Sequence, residues 1–217
     1  NFSSKIDFKQ YLPEINDELI LTNQKLKIQY RKDLLNVKGK GNVIIQKEID
    51  YIEYDFTKSK KEIKFNTLIK IKKNPLNLDV LNFRKDLRSN LDIILTGNKN
   101  FLSKEILLKE IILKEKDNIF EFKNLRLSKD RKVKSIDKID LDYLDVDSFK
   151  NKLSISRKKK DYDLVSKSLN VRKVIDDLLK TDTKSKNNKI FLSNFQLNIK
   201  IKKTFLDKDY LINDLNG

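Results

Sequence analysis

Carboxylates are the side chains of this sequence best equipped for acid–base chemistry. Asp176-Asp177, Asp7 with Glu14, and the run Asp140, Asp142, Asp145 and Asp147 are the candidates. A glycosidase-type pair needs two carboxyl groups ~5 Å apart in a cleft lined with aromatic side chains. Asp140 and Asp142 instead alternate with Ile139, Leu141 and Tyr143, which puts them on the polar side of a strand and favours a solvated edge. No acidic stretch has the D-x-[DN]-x-[DN]-G spacing of a calcium loop. With no His and no Cys among 217 residues, there is no imidazole or thiolate for a nucleophilic triad or a zinc site. Gly39-Lys40-Gly41 is not followed by a helix pattern, so it is not a phosphate-cradling loop. The expected complement of catalytic residues, metals and cofactors is none.

The net charge is +16, which raises nucleic acid as a partner. A single-strand reader needs cations concentrated beside exposed aromatics on one face. Here 41 Lys and 7 Arg are spread along the chain and mixed with Asp, Glu and Asn. A solvated, Lys-biased surface is the simpler reading, and no nucleic-acid partner is expected. The tightest basic cluster, Arg157-Lys158-Lys159-Lys160, is flanked by Asp161 and Asp163 and marks a turn. The chain lacks Met altogether and begins at Asn1, so it is expected to be a piece of a longer protein. No stretch approaches the ~18 apolar residues of a membrane helix.

The elements that would position these groups are strands. Apolar residues recur with period two at Leu26, Ile28 and Tyr30; at Ile52, Tyr54 and Phe56; and at Ile63, Phe65, Ile69 and Ile71. The same holds at Leu91, Ile93 and Leu95, and at Phe195, Leu197, Ile199 and Ile201. Such alternation is the mark of a strand with one buried face. Two runs change parity: Phe120 and Phe122 give way to Leu125 and Leu127, and Ile106 and Leu108 to Ile111 and Leu113. A parity change calls for a bulge or a turn. Gly39 and Gly41 are expected to connect or bulge between strands 34–38 and 42–48. Val171, Val174, Ile175, Leu178 and Leu179 are spaced as one face of a helix over 170–180, with Asn170 as its N-cap.

The fold class expected is mainly β: a long antiparallel meander forming an extended, twisted, curled sheet, with one amphipathic helix near the C-terminus. Residues 1–24 form a leading segment with a weak helix signal, 25–166 the antiparallel sheet, and 167–217 the helix followed by further strands. Turns rich in Gly and Pro are missing, which makes an open sheet a serious alternative to a closed sandwich.

The order of short motifs resembles a known family. Tyr11-Leu12-Pro13 and Ile20-Leu21-Thr22-Asn23 come first, then Val37-Lys38-Gly39-Lys40-Gly41-Asn42-Val43-Ile44-Ile45. Ile52-Glu53-Tyr54, Leu81-Asn82-Phe83-Arg84-Lys85, Phe122-Lys123-Asn124-Leu125-Arg126-Leu127 and Ile136-Asp137-Lys138-Ile139 follow. Tyr162-Asp163-Leu164 then leads to Ser168-Leu169-Asn170-Val171 and the helix. This order is similar to the repeat region of the bacterial AsmA-like family, in its YhdP/TamB-type branch with a DUF3971-like module. Ser166-Lys167 stands where that branch commonly has Gly. The resemblance implies a periplasmic bridge, attached to the inner membrane of a Gram-negative-type bacterium by an anchor outside this segment. Its apolar groove would conduct phospholipid acyl chains to the outer membrane, without chemistry on the lipid.

The groove also has a physical rationale. A strand such as Glu62–Lys72 presents an apolar face ~30 Å long, and neighbours ~4.8 Å apart continue it. The candidate lining residues are Ile52, Tyr54, Phe56, Ile63, Phe65, Ile69, Ile71, Leu91, Ile93 and Leu95. Phe120, Phe122, Leu125, Leu127, Phe195, Leu197, Ile199 and Ile201 complete the set. The competing readings are a closed, dry sandwich serving as a scaffold or interaction domain, a membrane β-barrel, and a basic nucleic-acid-binding module.

Overall fold

Nearly every period-two stretch becomes a strand. The computed structural model describes residues 19–180 and 194–217. The first half contains β1 (Ile20–Arg31), β2 (Leu34–Ile44), β3 (Ile49–Lys58), β4 (Glu62–Ile71), β5 (Asn77–Leu78), β6 (Phe83–Arg84) and β7 (Leu91–Asn100). The second contains β8 (Ile106–Glu115), β9 (Asn118–Leu127), β10 (Val133–Ser135), β11 (Lys138–Leu144), β12 (Lys150–Lys158) and β13 (Asp161–Asn170). Helix α1 (Arg172–Lys180) precedes β14 (Leu197–Phe205) and β15 (Leu211–Asn216).

A single 13-stranded sheet runs β1-β2-β3-β4-β7-β8-β9-β11-β12-β13-β14-β15, with β10 on β9, while β5 and β6 pair separately. Its edges β1 and β15 do not pair with each other. Among the described residues the sheet is therefore not closed into a barrel. It is also mixed. The uniformly antiparallel meander expected from the sequence is broken once, where β13 and β14 run parallel with Tyr162 opposite Leu197 and Leu164 opposite Ile199. The chain between them, which includes α1, returns to the end where β13 starts; a parallel pair requires such a crossover.

Two local expectations change. β2 passes straight through Gly39-Lys40-Gly41 without a turn. A Cβ on Gly39 would lie 2.3 Å from the ring of Tyr54, its partner on β3. One on Gly41 would lie 2.5 Å from the Asn23 carbonyl oxygen, where β1 bulges between Thr22 and Lys25. The glycines thus make room for neighbours instead of turning the chain. The helix begins later than expected: Ile175 N–H donates to the Val171 carbonyl, and Asn170 Oδ1 accepts from Arg172 N–H at 3.1 Å. Val174 and Ile175 of its supposed apolar face are exposed. The weak helix signal over 3–18 and the polar stretch 181–189 lie outside the described residues.

The parity changes are bulges. Thr96 pairs with Glu110 but Gly97 with Leu108, leaving Lys109 as the extra residue of β8. On β9 Asn124 lies opposite Lys109, between the pairs Leu108–Leu125 and Glu110–Lys123, and takes a left-handed φ of 53°. Asn tolerates this conformation better than most residues. The two strands slip together, so apolar side chains stay on one face above and below the bulge.

Between β4 and β7 the chain makes an excursion over residues 72–90 that sequence periodicity did not reveal. It folds across one end of the sheet and buries Leu76 and Phe83 there. Phe83 meets Phe120 edge-on at a ring separation of 4.7 Å, a favoured aromatic geometry. Polar groups hold the excursion in place. Asn74 Nδ2 donates to Asp50 at 2.6 Å and to the Glu48 carbonyl at 2.8 Å. Lys85, only 1% exposed, donates to the carbonyls of Lys72 and Asp86 at 2.8 and 3.0 Å. Burial pushes the Lys85 pKa down, against the attraction of Glu115, Asp50 and Asp86. Glu115 accepts from Asp86 N–H at 2.8 Å, from Asn118 Nδ2 at 3.1 Å and from the Ser89 hydroxyl.

Glu115→Ala would leave those three donors short of an acceptor and remove the charge that attracts the Lys85 ammonium. The expected loss is about 3 kcal/mol, read from urea unfolding, with amide exchange accelerating first across residues 72–90.

Candidate functional site

In a sheet, residues directly opposite one another on paired strands point to the same side. The register therefore traces continuous rows across the molecule. One row runs Gly41, Ile52, Ile69, Ile93, Leu113, Phe120, Leu141, Leu153, Ser166 and Ile201. The next runs Gly39, Tyr54, Thr67, Leu95, Ile111, Phe122, Ile139, Ile155, Leu164 and Ile199. A third holds Val37, Phe56, Phe65, Gly97, Leu108 and Leu125. A fourth holds Lys58, Ile63, Lys99, Ile106 and Leu127. Ile71 pairs with Leu91 and Leu197 with Tyr162. Every candidate lining residue within a strand thus lies on one face. Phe195, just before β14, places its ring 5.0 Å from that of Tyr162.

Cover is unequal along the strands. At the end beneath the excursion, Ile52, Ile69, Ile71, Leu91 and Phe120 are buried, as is Ile201 near the other edge. These residues pack the interior. Farther along the same strands Tyr54, Ile63, Phe65, Ile93, Leu95, Phe122, Leu125, Leu127 and Ile199 are half-buried. Phe56, Phe195 and Leu197 are exposed. Cover is also uneven across the sheet: on the same face Ile106, Tyr162 and Leu164 are buried, and Phe122, Ile139 and Ile155 pack against the Phe83–Phe120 cluster. Glycine lowers the floor of the face: a Cβ on Gly97 would meet the Phe65 ring at 2.8 Å and the Leu107 carbonyl oxygen at 2.3 Å. The rings of Phe65 and Tyr54 therefore lie across Gly97 and Gly39. Sequence reasoning left out Leu108, Ile111, Leu113, Ile139 and Ile155, although period-two spacing and the bulge were signals enough to include them.

The opposite face is dominated by paired charges. Lys38 meets Asp55 at 2.7 Å, Lys123 meets Glu121 at 2.9 Å and Lys138 meets Asp140 at 2.8 Å. Asp142 is held by both Lys150 and Lys152. Burial pushes the pKa values of Asp140 and Asp142 up, but hydrogen bonds from the lysines and, for Asp140, from Ser154 outweigh it and hold both below the usual carboxylate range. Asp145 accepts from Phe149 N–H at 2.9 Å, Asn151 Nδ2 at 3.1 Å and Asn170 Nδ2 at 2.8 Å. Asp147 accepts from Asn82 at 3.0 Å. These acids brace turns and ladders and do not converge on a cleft. Asp7, Glu14 and the Asp177 side chain lie outside the described residues. Among those described, no group of three or more His, Cys, Asp or Glu is placed to hold a metal ion, and no helix is long and apolar enough to cross a membrane.

No family model, curated protein or solved structure matches this chain. The arrangement of its own side chains is what speaks to function.

Asp140 and Asp142 have folded pKa values below their unfolded ones. Their stabilisation is complete above the unfolded value of about 4 and is lost as pH falls through the folded values. Urea midpoints measured from about pH 5 down to about pH 2 should therefore fall. Asp142→Asn should start lower at the upper end of that range and fall less steeply.

Proposed function

We propose that this chain is a non-catalytic segment of a lipid-conducting bridge of the AsmA-like type, working in the periplasm between the two membranes of a Gram-negative-type bacterium. The observation that carries the reading is the single apolar face, continuous from β2 to β14 and only half-covered around Phe56, Phe65, Leu95, Leu108 and Leu125. An acyl chain laid there gains ~0.8 kcal/mol for each methylene it buries. Aliphatic and aromatic side chains alternate along the rows without a deep pocket, so adjacent positions offer similar affinity and a chain can slide between them.

Curvature in the sheet would turn this face into a trough. The extra residue Lys109 in β8, next to Gly97, is a device that bends a sheet. The salt-bridged face then forms the outer wall. The anchor in the inner membrane would belong to a part of the protein outside this segment. No bound group is required: contact with hydrocarbon is the whole activity.

A photo-crosslinking residue at Phe65, Phe122 or Leu125 should capture phospholipid in cells, and one at Lys64 on the opposite face should not; capture restricted to Lys64 would sink the reading. Leu125→Asp should abolish lipid uptake while the protein stays folded, because a charge in hydrocarbon is costly but this site is half-open. Phe120→Asp, with 0% exposure, should instead unfold the protein.

A further inference from the structure

The turns at the two ends of the strands differ in charge, and this asymmetry follows from the topology. Turns β1–β2, β3–β4, β7–β8, β9–β11 and β12–β13 all fall at one end, because the strands between them alternate in direction. That end carries Arg31 and Lys32, then Lys60 and Lys61, then Lys104. The longer β9–β11 turn adds Lys129, Arg131 and Lys132, and the β12–β13 turn adds Lys159 and Lys160. Its acids are fewer than its cations: Asp33 is engaged by Lys60 at 2.6 Å, Glu105 by Lys134 at 2.7 Å and Asp137 by Arg157 at 3.7 Å, with Asp130 and Asp161 beside the turn lysines. At the other end positive charge is matched. Lys47 adjoins Glu48, Lys208 sits between Asp207 and Asp209, and Lys116 binds Asp86 at 2.7 Å.

Across β3 to β7 the apolar face is also least covered at the basic end, where Phe56 is exposed and Ile63 and Phe65 are half-buried; across β8 to β13 the same end is better packed, with Ile106, Ile136 and Tyr162 buried. There the face itself finishes in cations. Register sets Lys58 and Lys99 on either side of Ile63, and Arg157 opposite Tyr162. At the opposite end the face runs under Leu76 and Phe83.

We infer that this basic rim binds the phosphate of anionic phospholipids, whose tails lie on the apolar face pointing toward the excursion. The inference rests on the lipid reading above and adds to it an orientation and a class of headgroup. Lys suits the task, since a flexible point charge pairs with a phosphate without fixing its position, and a row of them lets a headgroup pass from one turn to the next. Each Lys close to an anionic lipid surface contributes substantially to binding.

The test compares two variants of the whole chain with equal loss of charge. One is Lys58→Gln, Lys99→Gln, Lys132→Gln, at the basic rim. The other is Lys47→Gln, Lys73→Gln, Lys208→Gln, at the matched end. Each is incubated with vesicles of phosphatidylcholine alone or with added phosphatidylglycerol, and extracted lipid is counted on the purified protein. The rim variant should extract phosphatidylglycerol roughly tenfold less and phosphatidylcholine as before, and the other variant should match wild type for both. Free inorganic phosphate should not compete, because the tails supply most of the binding. Equal losses in both variants, no loss in either, or full competition by inorganic phosphate would overturn the inference. Uptake of phosphatidylcholine without any preference for phosphatidylglycerol would overturn it while leaving the lipid reading intact. No lipid on the wild-type protein, with rim-dependent binding to single-stranded DNA, would overturn both.

Discussion

One sheet with one apolar face cannot bury that face by itself, and the rest of the molecule follows from this constraint. A second sheet would close it, but among the described residues every long strand belongs to the same sheet. The cover available within the described residues is the excursion between β4 and β7, which buries Leu76 and Phe83 at one end of the strands. The core is consequently two clusters in a band along that end: one around Val43, Ile52, Ile71 and Leu91, the other around Phe83, Phe120, Leu141 and Tyr143. Beyond the band the same rows continue half-exposed.

Keeping the cover in place falls to buried polar groups, because a short segment with few apolar side chains has little to hold it. Lys85, Glu115, Asp50 and Asn74 are all nearly inaccessible, and each is satisfied by partners on the strand ends. A buried charge left unpaired is far costlier than one left in water, so the network specifies a single docking position for the excursion. Tyr143 contributes at the same place: its hydroxyl donates to the Leu81 carbonyl at 3.0 Å, while burial, with the nearby Asp145, pushes its pKa up.

Much of the sheet was legible in the sequence, since a half-buried strand writes its face directly as alternation. The rows through Ile52, Ile69 and Ile93 or through Tyr54, Leu95 and Phe122 could be read that way, and the parity shifts at Leu108–Ile111 and Phe122–Leu125 announced their bulges. Which side chains share that face could thus largely be foreseen, but their burial could not, because cover comes in part from residues 72–90, which have no periodicity of their own. Gly39 and Gly41 misled for a related reason. Glycine signals either a turn or a close approach, and the choice depends on Tyr54 and Asn23, distant neighbours in the chain. The parallel pairing of β13 with β14 was equally hidden, since alternation carries no direction.

The strand order has a kinetic side. Apart from the steps over β5 and β6 and over β10, each strand of the sheet pairs with the next in sequence, β13 and β14 across the crossover, so most contacts are between near neighbours. Such a molecule resembles a linear array in which structure spreads outward from any hairpin, and near-neighbour contacts favour fast folding. Cooperativity between distant hairpins must then come from the few links that skip along the chain. Asn82 to Asp147 and Leu81 to Tyr143 join the excursion to β11 and its following turn, and they bind two otherwise independent stretches of sheet into one melting unit.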